Sequence, residues 1–165
     1  MSFYLGQLFS LLSSACLAYS TFGKSKDRMI LWQTVNASFY SASCLFLGGY
    51  SAVVSNILTI VRNILQIKGK MTKTLAAVIC VFMAALGLAL NNRGVLGLLP
   101  VTASVIYTVM MYTAKTARQM NAAVAINMLQ WGIFDCFIRA YPSLVMDIVI
   151  VCLSTINFFA KRKST

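Results

Sequence analysis

The stretch NMLQWGIFDCFIRAYPSLVMDIVIVCLSTIN, residues 127–157, decides how this chain folds. It reads as two apolar helices broken at Ala140-Tyr141-Pro142-Ser143, yet it carries Asn127, Asp135, Arg139, Asp147, Ser154 and Asn157. Each half is apolar enough to sit in hydrocarbon, where an amide or ionisable group without a partner is costly and is a functional hypothesis by default. Asn127, Trp131 and Asp135 recur every fourth residue and share one face of the first helix. Asp147, Ile150, Ser154 and Asn157 share a face of the second. Two such faces on neighbouring helices can line one cavity; the competing expectation is that amides and hydroxyls only tie helices together.

Composition agrees with a membrane setting. The 165 residues are 59% hydrophobic and 10% charged, with mean hydropathy +0.80, whereas a soluble domain keeps roughly a quarter of its residues charged. The net charge of +11 sits in short clusters between apolar runs rather than in a basic domain, which argues against nucleic acid. Five cysteines, Cys16, Cys44, Cys80, Cys136 and Cys152, fall inside apolar runs without CxxC spacing and read as small buried residues. Histidine is absent and no ligand cluster is visible, so neither a metal nor a cofactor is expected. The opening Met1-Ser2-Phe3-Tyr4 lacks the basic start of a signal peptide, so the first apolar run is expected to remain as a helix.

Seven apolar segments follow: Phe3 to Phe22, Met29 to Leu47, Ala52 to Ile67, Thr72 to Leu90, Val95 to Thr113, Met120 to Ile138 and Ser143 to Ala160. Lysines and arginines collect after the first (Lys24, Lys26, Arg28), third (Lys68, Lys70, Lys73), fifth (Lys115, Arg118) and seventh (Lys161, Arg162, Lys163). The alternate connections carry only Arg93 and Arg139. That asymmetry places the N-terminus outside and the C-terminus in the cytoplasm of a multi-pass protein of the inner (plasma) membrane. The basic tail reads as a topology signal more than as a specific lipid site. Asp135 and Arg139, four apart, suggest a local ion pair.

Sliding the chain against itself by 91 residues, without a gap, pairs Leu5-Gly6 with Leu96-Gly97, Lys24 with Lys115, Met29 with Met120, Asn36 with Asn127 and Tyr50 with Tyr141. It also pairs Tyr40 with Trp131, Asn56 with Asp147, Asn63 with Ser154 and Gln66 with Asn157. The polar stripe Asn56, Thr59, Asn63, Gln66 of the third segment thus returns on the seventh. The expected architecture is all-α: two parallel three-helix repeats, residues 1–70 and 94–165, joined by a linker helix, residues 71–93, that has only Gly87 as a break. Because three is odd, the fourth helix restores the second repeat to the orientation of the first, a recurring transporter plan with its site between the repeats.

With these features the chain resembles the MtN3 superfamily, which holds the SWEET and semiSWEET sugar transporters and the PQ-loop proteins. More narrowly, it resembles the YgjV-type bacterial inner-membrane proteins placed there. NILTIVRNI (56–64), LLPVTASVIYT (98–108) and WGIF (131–134) carry the match. The resemblance implies that Asn56 and Asp147, with Tyr40 and Trp131, surround the solute. Two departures stand out: Asp147 replaces the second Asn of the matched pair, and the helix-flexing prolines are mostly missing, Pro100 lying early in its helix and Pro142 in a loop.

Amides and an aromatic face suit a small polar solute, sugar-like or amine- and amino-acid-like. The candidate binding residues are Asn56, Asp147, Tyr40, Trp131, Asn36, Asn127, Asn63 and Ser154. Asp147 can hold a cation or carry a proton, and Arg62 either snorkels to the interface or answers an anionic group. The expected function is transport by alternating access, with a non-transporting receptor on the same bundle as the alternative. An enzyme is not expected, since Asp27, Asp135 and Asp147 are the only carboxylate side chains and no nucleophile–base pair is visible. The expected partners are membrane lipid and the solute, and membrane packing leaves room for a homo-oligomer.

Overall fold

The computed structural model of the chain describes residues 1–21, 26–113 and 117–160. Lys24, Lys115 and the tail Lys161, Arg162 and Lys163 lie outside the described residues, as do the side chains of Lys26, Arg118, Met120 and Asn157. The elements are α1 (Ser2–Thr21), α2 (Lys26–Leu47), α3 (Tyr50–Ile67), α4 (Lys73–Ala89), a short 3-10 helix (Gly94–Leu98), α5 (Leu99–Thr113), α6 (Ala117–Ile138) and α7 (Tyr141–Ala160). No strand occurs among the described residues.

The break between α6 and α7 is tighter than the sequence suggested. It is only Arg139-Ala140, and Pro142 lies in the first turn of α7 rather than in a loop, where its missing N–H leaves no helical bond unmade. The junctions after α2, α3 and α6 share one device. Gly48, Gly69 and Arg139 take the left-handed conformation with φ of 77°, 65° and 61°. The next amide then reaches back five residues: Gly49 N to Cys44 O at 2.8 Å, Lys70 N to Leu65 O at 2.9 Å, and Ala140 N to Asp135 O at 2.9 Å. This pairs carbonyls otherwise left open at each helix end and turns the chain within two residues after α2 and α6 and within five after α3. Thr72 then caps α4, its hydroxyl accepting from Leu75 N at 3.2 Å.

The 91-residue shift also acts on the helices. It carries Lys26–Leu47 onto Ala117–Ile138, the start of α3 at Tyr50 onto the start of α7 at Tyr141, and the left-handed Gly48 onto Arg139.

Six helices pack in a closed ring: α1 on α2, α2 on α3, α3 on α5, α5 on α6, α6 on α7, and α7 back on α1. The α4 helix packs against α3 and α5. Gly87, expected as a break in α4, is instead its point of closest packing. A Cβ there would lie 2.4 Å from Val101 Cγ2 of α5, and the helix runs on to Ala89. The α1–α2 contact is similarly close, with the Ser43 hydroxyl donating to Gly6 O at 2.8 Å.

Polar residues turn inward and apolar ones outward. On α3, Ser51, Ser55, Asn56, Arg62 and Asn63 are buried while Ile57, Val61 and Ile64 are exposed. Val81 and Phe82 on α4, Ile133 and Phe137 on α6, and Val145 and Ile148 on α7 continue the apolar exterior. Such an exterior suits hydrocarbon, not water. By length and composition one described helix, Gly94–Thr113, is apolar enough to cross a membrane; Lys73–Ala89, Ala122–Ile138 and Tyr141–Ile156 are shorter apolar helices.

The junction geometry yields a stability prediction. Arg139 holds a backbone conformation that glycine adopts without the Cβ clash, so Arg139→Gly should stabilise the protein by about 1 kcal/mol. Gly48→Ala should destabilise it by a similar amount or more, because its Cβ would meet Arg93 Nη2 at 2.9 Å. Thermal unfolding in detergent reads both, and opposite signs at these two equivalent positions are the expected result.

Candidate functional site

A cavity of about 370 Å³ lies inside the ring, lined by α1, α2, α3, α5, α6 and α7. Every binding residue expected from sequence reaches its wall. Asn36 and Tyr40 come from α2, Asn56 and Asn63 from α3, Asn127 and Trp131 from α6, and Asp147 and Ser154 from α7. Thr59 and Ile150 line it too, so the stripes on α3 and α7 both face inward. Gln66 lines a neighbouring cavity of about 280 Å³ together with Arg62, Thr108 and Tyr112.

The two ends of the cavity differ. Toward the α2–α3 and α6–α7 junctions, the Tyr40 and Trp131 rings meet edge to face with centroids 5.4 Å apart and planes at 84°. The Tyr40 hydroxyl donates to Asp135 Oδ1. Behind this pair Cys44, Leu47, Phe134 and Ile138 form the buried apolar cluster, which closes that end. Toward the end that bears Lys68, Lys70 and Lys73, the wall reaches Ser20, Met29 and Leu153, of which Met29 and Leu153 are exposed.

Two electrostatic expectations are corrected. Asp135 does not pair with Arg139: its carboxyl is 1% exposed and takes the Tyr40 hydroxyl across the ring, while Arg139 is exposed. Arg139 contributes its backbone instead, its carbonyl accepting from the Gln7 amide of α1. Arg62 does not snorkel to the interface either. Only 3% exposed, it donates from Nη1 to Thr108 Oγ1 at 2.9 Å and from Nη2 to Asn63 Oδ1 at 2.9 Å, and its guanidinium stands 5.3 Å over the Tyr107 ring. Thr108 and Tyr107 on α5 offer the head a nearer set of partners than the membrane surface. Among the cysteines, all free, Cys44 is buried but Cys136 and Cys152 are exposed on the apolar exterior, so small size did not imply burial.

The sequence reading missed part of the wall. Ser13, Ser14 and Ser20 of α1, Ser104 and Tyr107 of α5, and Ser143 of α7 all line it. The helical spacing of Ser10, Ser13 and Ser14, and the 91-residue pairing of Ser13 with Ser104, were the available signals. These serines also close the ring: Ser10 Oγ and Ser143 Oγ lie 2.7 Å apart between α1 and α7, and Ser13 donates to Asn36 Oδ1 at 2.5 Å. Asp147 packs beside Gly132 of α6, at ordinary contact distance of 3.5 Å from where a Cβ there would stand.

Three polar atoms of cavity residues are buried without a hydrogen-bond partner: Asn63 Nδ2, Asn127 Oδ1 and Asp147 Oδ2. Buried polar atoms are nearly always paired, so at these three residues the wall's own hydrogen bonding is incomplete, as it is at Ser41 Oγ and Ser51 Oγ elsewhere among the described residues.

The family model Imp-YgjV, described as bacterial inner membrane protein, matches residues 4–165. No curated protein and no solved structure matches the chain.

The Tyr40–Asp135 bond is testable through stability. Tyr40→Phe removes the donor and leaves a buried carboxyl oxygen unpaired, with an expected loss of about 1–3 kcal/mol. Asp135→Asn keeps an oxygen acceptor and should lose less. The control is Tyr50→Phe, at a tyrosine 48% exposed; a Tyr40→Phe melting shift no larger than this control would show that the bond adds nothing.

Proposed function

Since the chain belongs to the Imp-YgjV family of bacterial inner membrane proteins, we propose that it transports a small polar solute by alternating access between two halves. The halves are residues 1–70 and 94–165, parallel repeats joined by the linker helix of residues 71–93, with all seven helices crossing the membrane. The N-terminus is outside and the lysine-bearing end is cytoplasmic, following the charge asymmetry of the connections.

One observation carries this reading: a cavity at the centre of the ring, lined by amides, hydroxyls and the Asp147 carboxyl among apolar side chains, is walled by both halves, backed at one end by an apolar cluster and continued at the other toward the lysine end. A protein built only to hold helices together has no need to gather unpaired amide and carboxyl atoms around such a space. The arrangement corresponds to a cytoplasm-facing state, in which the Tyr40–Trp131 pair and the cluster behind it form the closed outer gate.

The ring also supplies a way to move. The 91-residue shift turns the α1–α7 contact into the α5–α3 contact, so the two halves meet at two equivalent seams. The Ser10–Ser143 hydroxyl pair holds the first near the junction end, and the Arg62–Thr108 bond holds the second near the lysine end. Rocking one half against the other repacks these seams while leaving contacts within each half intact.

Reconstitution into liposomes tests the proposal. Radiolabelled amino acids, amines and sugars are offered in turn, and at least one is expected to show saturable uptake that Trp131→Ala reduces by tenfold or more. Specific binding without flux of any bound solute would instead favour the receptor alternative.

A further inference from the structure

The cavity is electrically two-poled. Arg62 and Asn63 of α3 form one pole. The guanidinium is buried and meets Asn63 Oδ1, Thr108 Oγ1 and the Tyr107 ring, none of them a carboxylate. Asn63 spends its oxygen on that guanidinium, which leaves its Nδ2 donor unpaired. This pole therefore presents a positive charge and a free N–H. The other pole is the Asp147 carboxyl on α7, its Oδ2 unpaired, on a residue 6% exposed that packs beside Gly132 of α6.

The helical register sets their spacing. Asp147 is equivalent to Asn56 under the 91-residue shift, and Asn63 stands seven residues beyond Asn56 toward the lysine end. Seven residues of helix advance about 10 Å. Between these depths the wall includes the apolar side chains Met128 and Ile150 beside Thr59.

We infer that the solute is a linear zwitterion, an ammonium and a carboxylate separated by several methylenes, with its ammonium on Asp147 and its carboxylate on Arg62 and Asn63. The inference rests on the transport reading for its physiological meaning, but the site itself is a binding claim. A sugar supplies hydroxyls and no charge, leaving Arg62 and Asp147 without counter-charges. An α-amino acid carries both charges but holds them too close together to reach both poles. Because α3 and α7 stand on different sides of the ring, the separation exceeds that helical rise, and a chain of about five methylenes with hydrogen bonds of about 2.9 Å at each end covers the rise and the offset together.

The test is isothermal titration of the full chain in detergent at neutral pH with 6-aminohexanoate, its half-molecules hexylamine and hexanoate, alanine and glucose. 6-Aminohexanoate is expected to bind more tightly than either half-molecule by on the order of tenfold or more, the scale of one added charge-assisted hydrogen bond. Asp147→Asn should weaken 6-aminohexanoate and hexylamine but spare hexanoate; it installs the amide already present at Asn56, so the fold tolerates it. Arg62→Gln should weaken 6-aminohexanoate and hexanoate but spare hexylamine. Arg62→Lys, which keeps the charge if the glutamine loosens the α3–α5 seam, should retain hexanoate binding. Tighter binding of glucose or alanine, equal weakening of both half-molecules by either variant, or silence from all five compounds would overturn the inference. Selective zwitterion binding without flux in liposomes would remove the transport reading and leave this site standing.

Discussion

Hydrocarbon offers no hydrogen bonds, and that constraint organises everything else in this molecule. A chain with this many serines and asparagines in its apolar segments has one stable arrangement: the hydroxyls and amides must find one another inside. The closed ring does this. Its seams are fastened by Ser10–Ser143 and Arg62–Thr108, its α1–α2 contact by Ser43 on the Gly6 carbonyl, and its exterior is left to leucine, isoleucine, valine and phenylalanine. In the membrane-spanning arrangement proposed above, the hydrophobic effect acts little between helices, so close approach and hydrogen bonds set their packing. Gly87 against Val101 and Gly6 against Leu47 show how far the approach goes.

Satisfying the interior by a ring has a by-product. Six helices around a centre do not fill it, and the side chains that cannot pair across the gap become the wall of a cavity. Where the ring is tightest, at the Tyr40–Trp131 contact and the cluster with Phe134, the gap disappears and the end is sealed. The candidate site and the candidate gate are therefore two depths of the same packing problem.

Much of this was legible in the sequence because it depends on period. The stripes of α3, α6 and α7 follow from helical spacing, and the 91-residue shift found equivalent helices whose ends then coincided, Lys26–Leu47 with Ala117–Ile138. What was not legible depends on partners distant in sequence. Asp135 has an arginine four residues away on its own helix, yet its partner is Tyr40, 95 positions earlier, because the ring brings α2 against α6 at that depth only once folded. Arg62 has a stem long enough to reach the interface, and only the arrival of Thr108 and Tyr107 on α5 turns it inward. The serines of α1 are too common a residue in apolar helices for spacing alone to distinguish lining from back-bonding, and Ser14 does both, donating to Ser10 O at 2.9 Å.

The equivalence of the halves is one of backbone and position, and their charges are unequal. Arg62 belongs to the first half, while Asp135 and Asp147 belong to the second, opposite Cys44 and Asn56. A ring made from two identical half-chains can hold only even numbers of each charge: two arginines facing one another, or four carboxylates. Joining unequal halves through α4 frees the interior from that parity. It can carry one cation on one side and an unmatched acid on the other, and so acquire a direction across its width that no symmetric pair of subunits could possess.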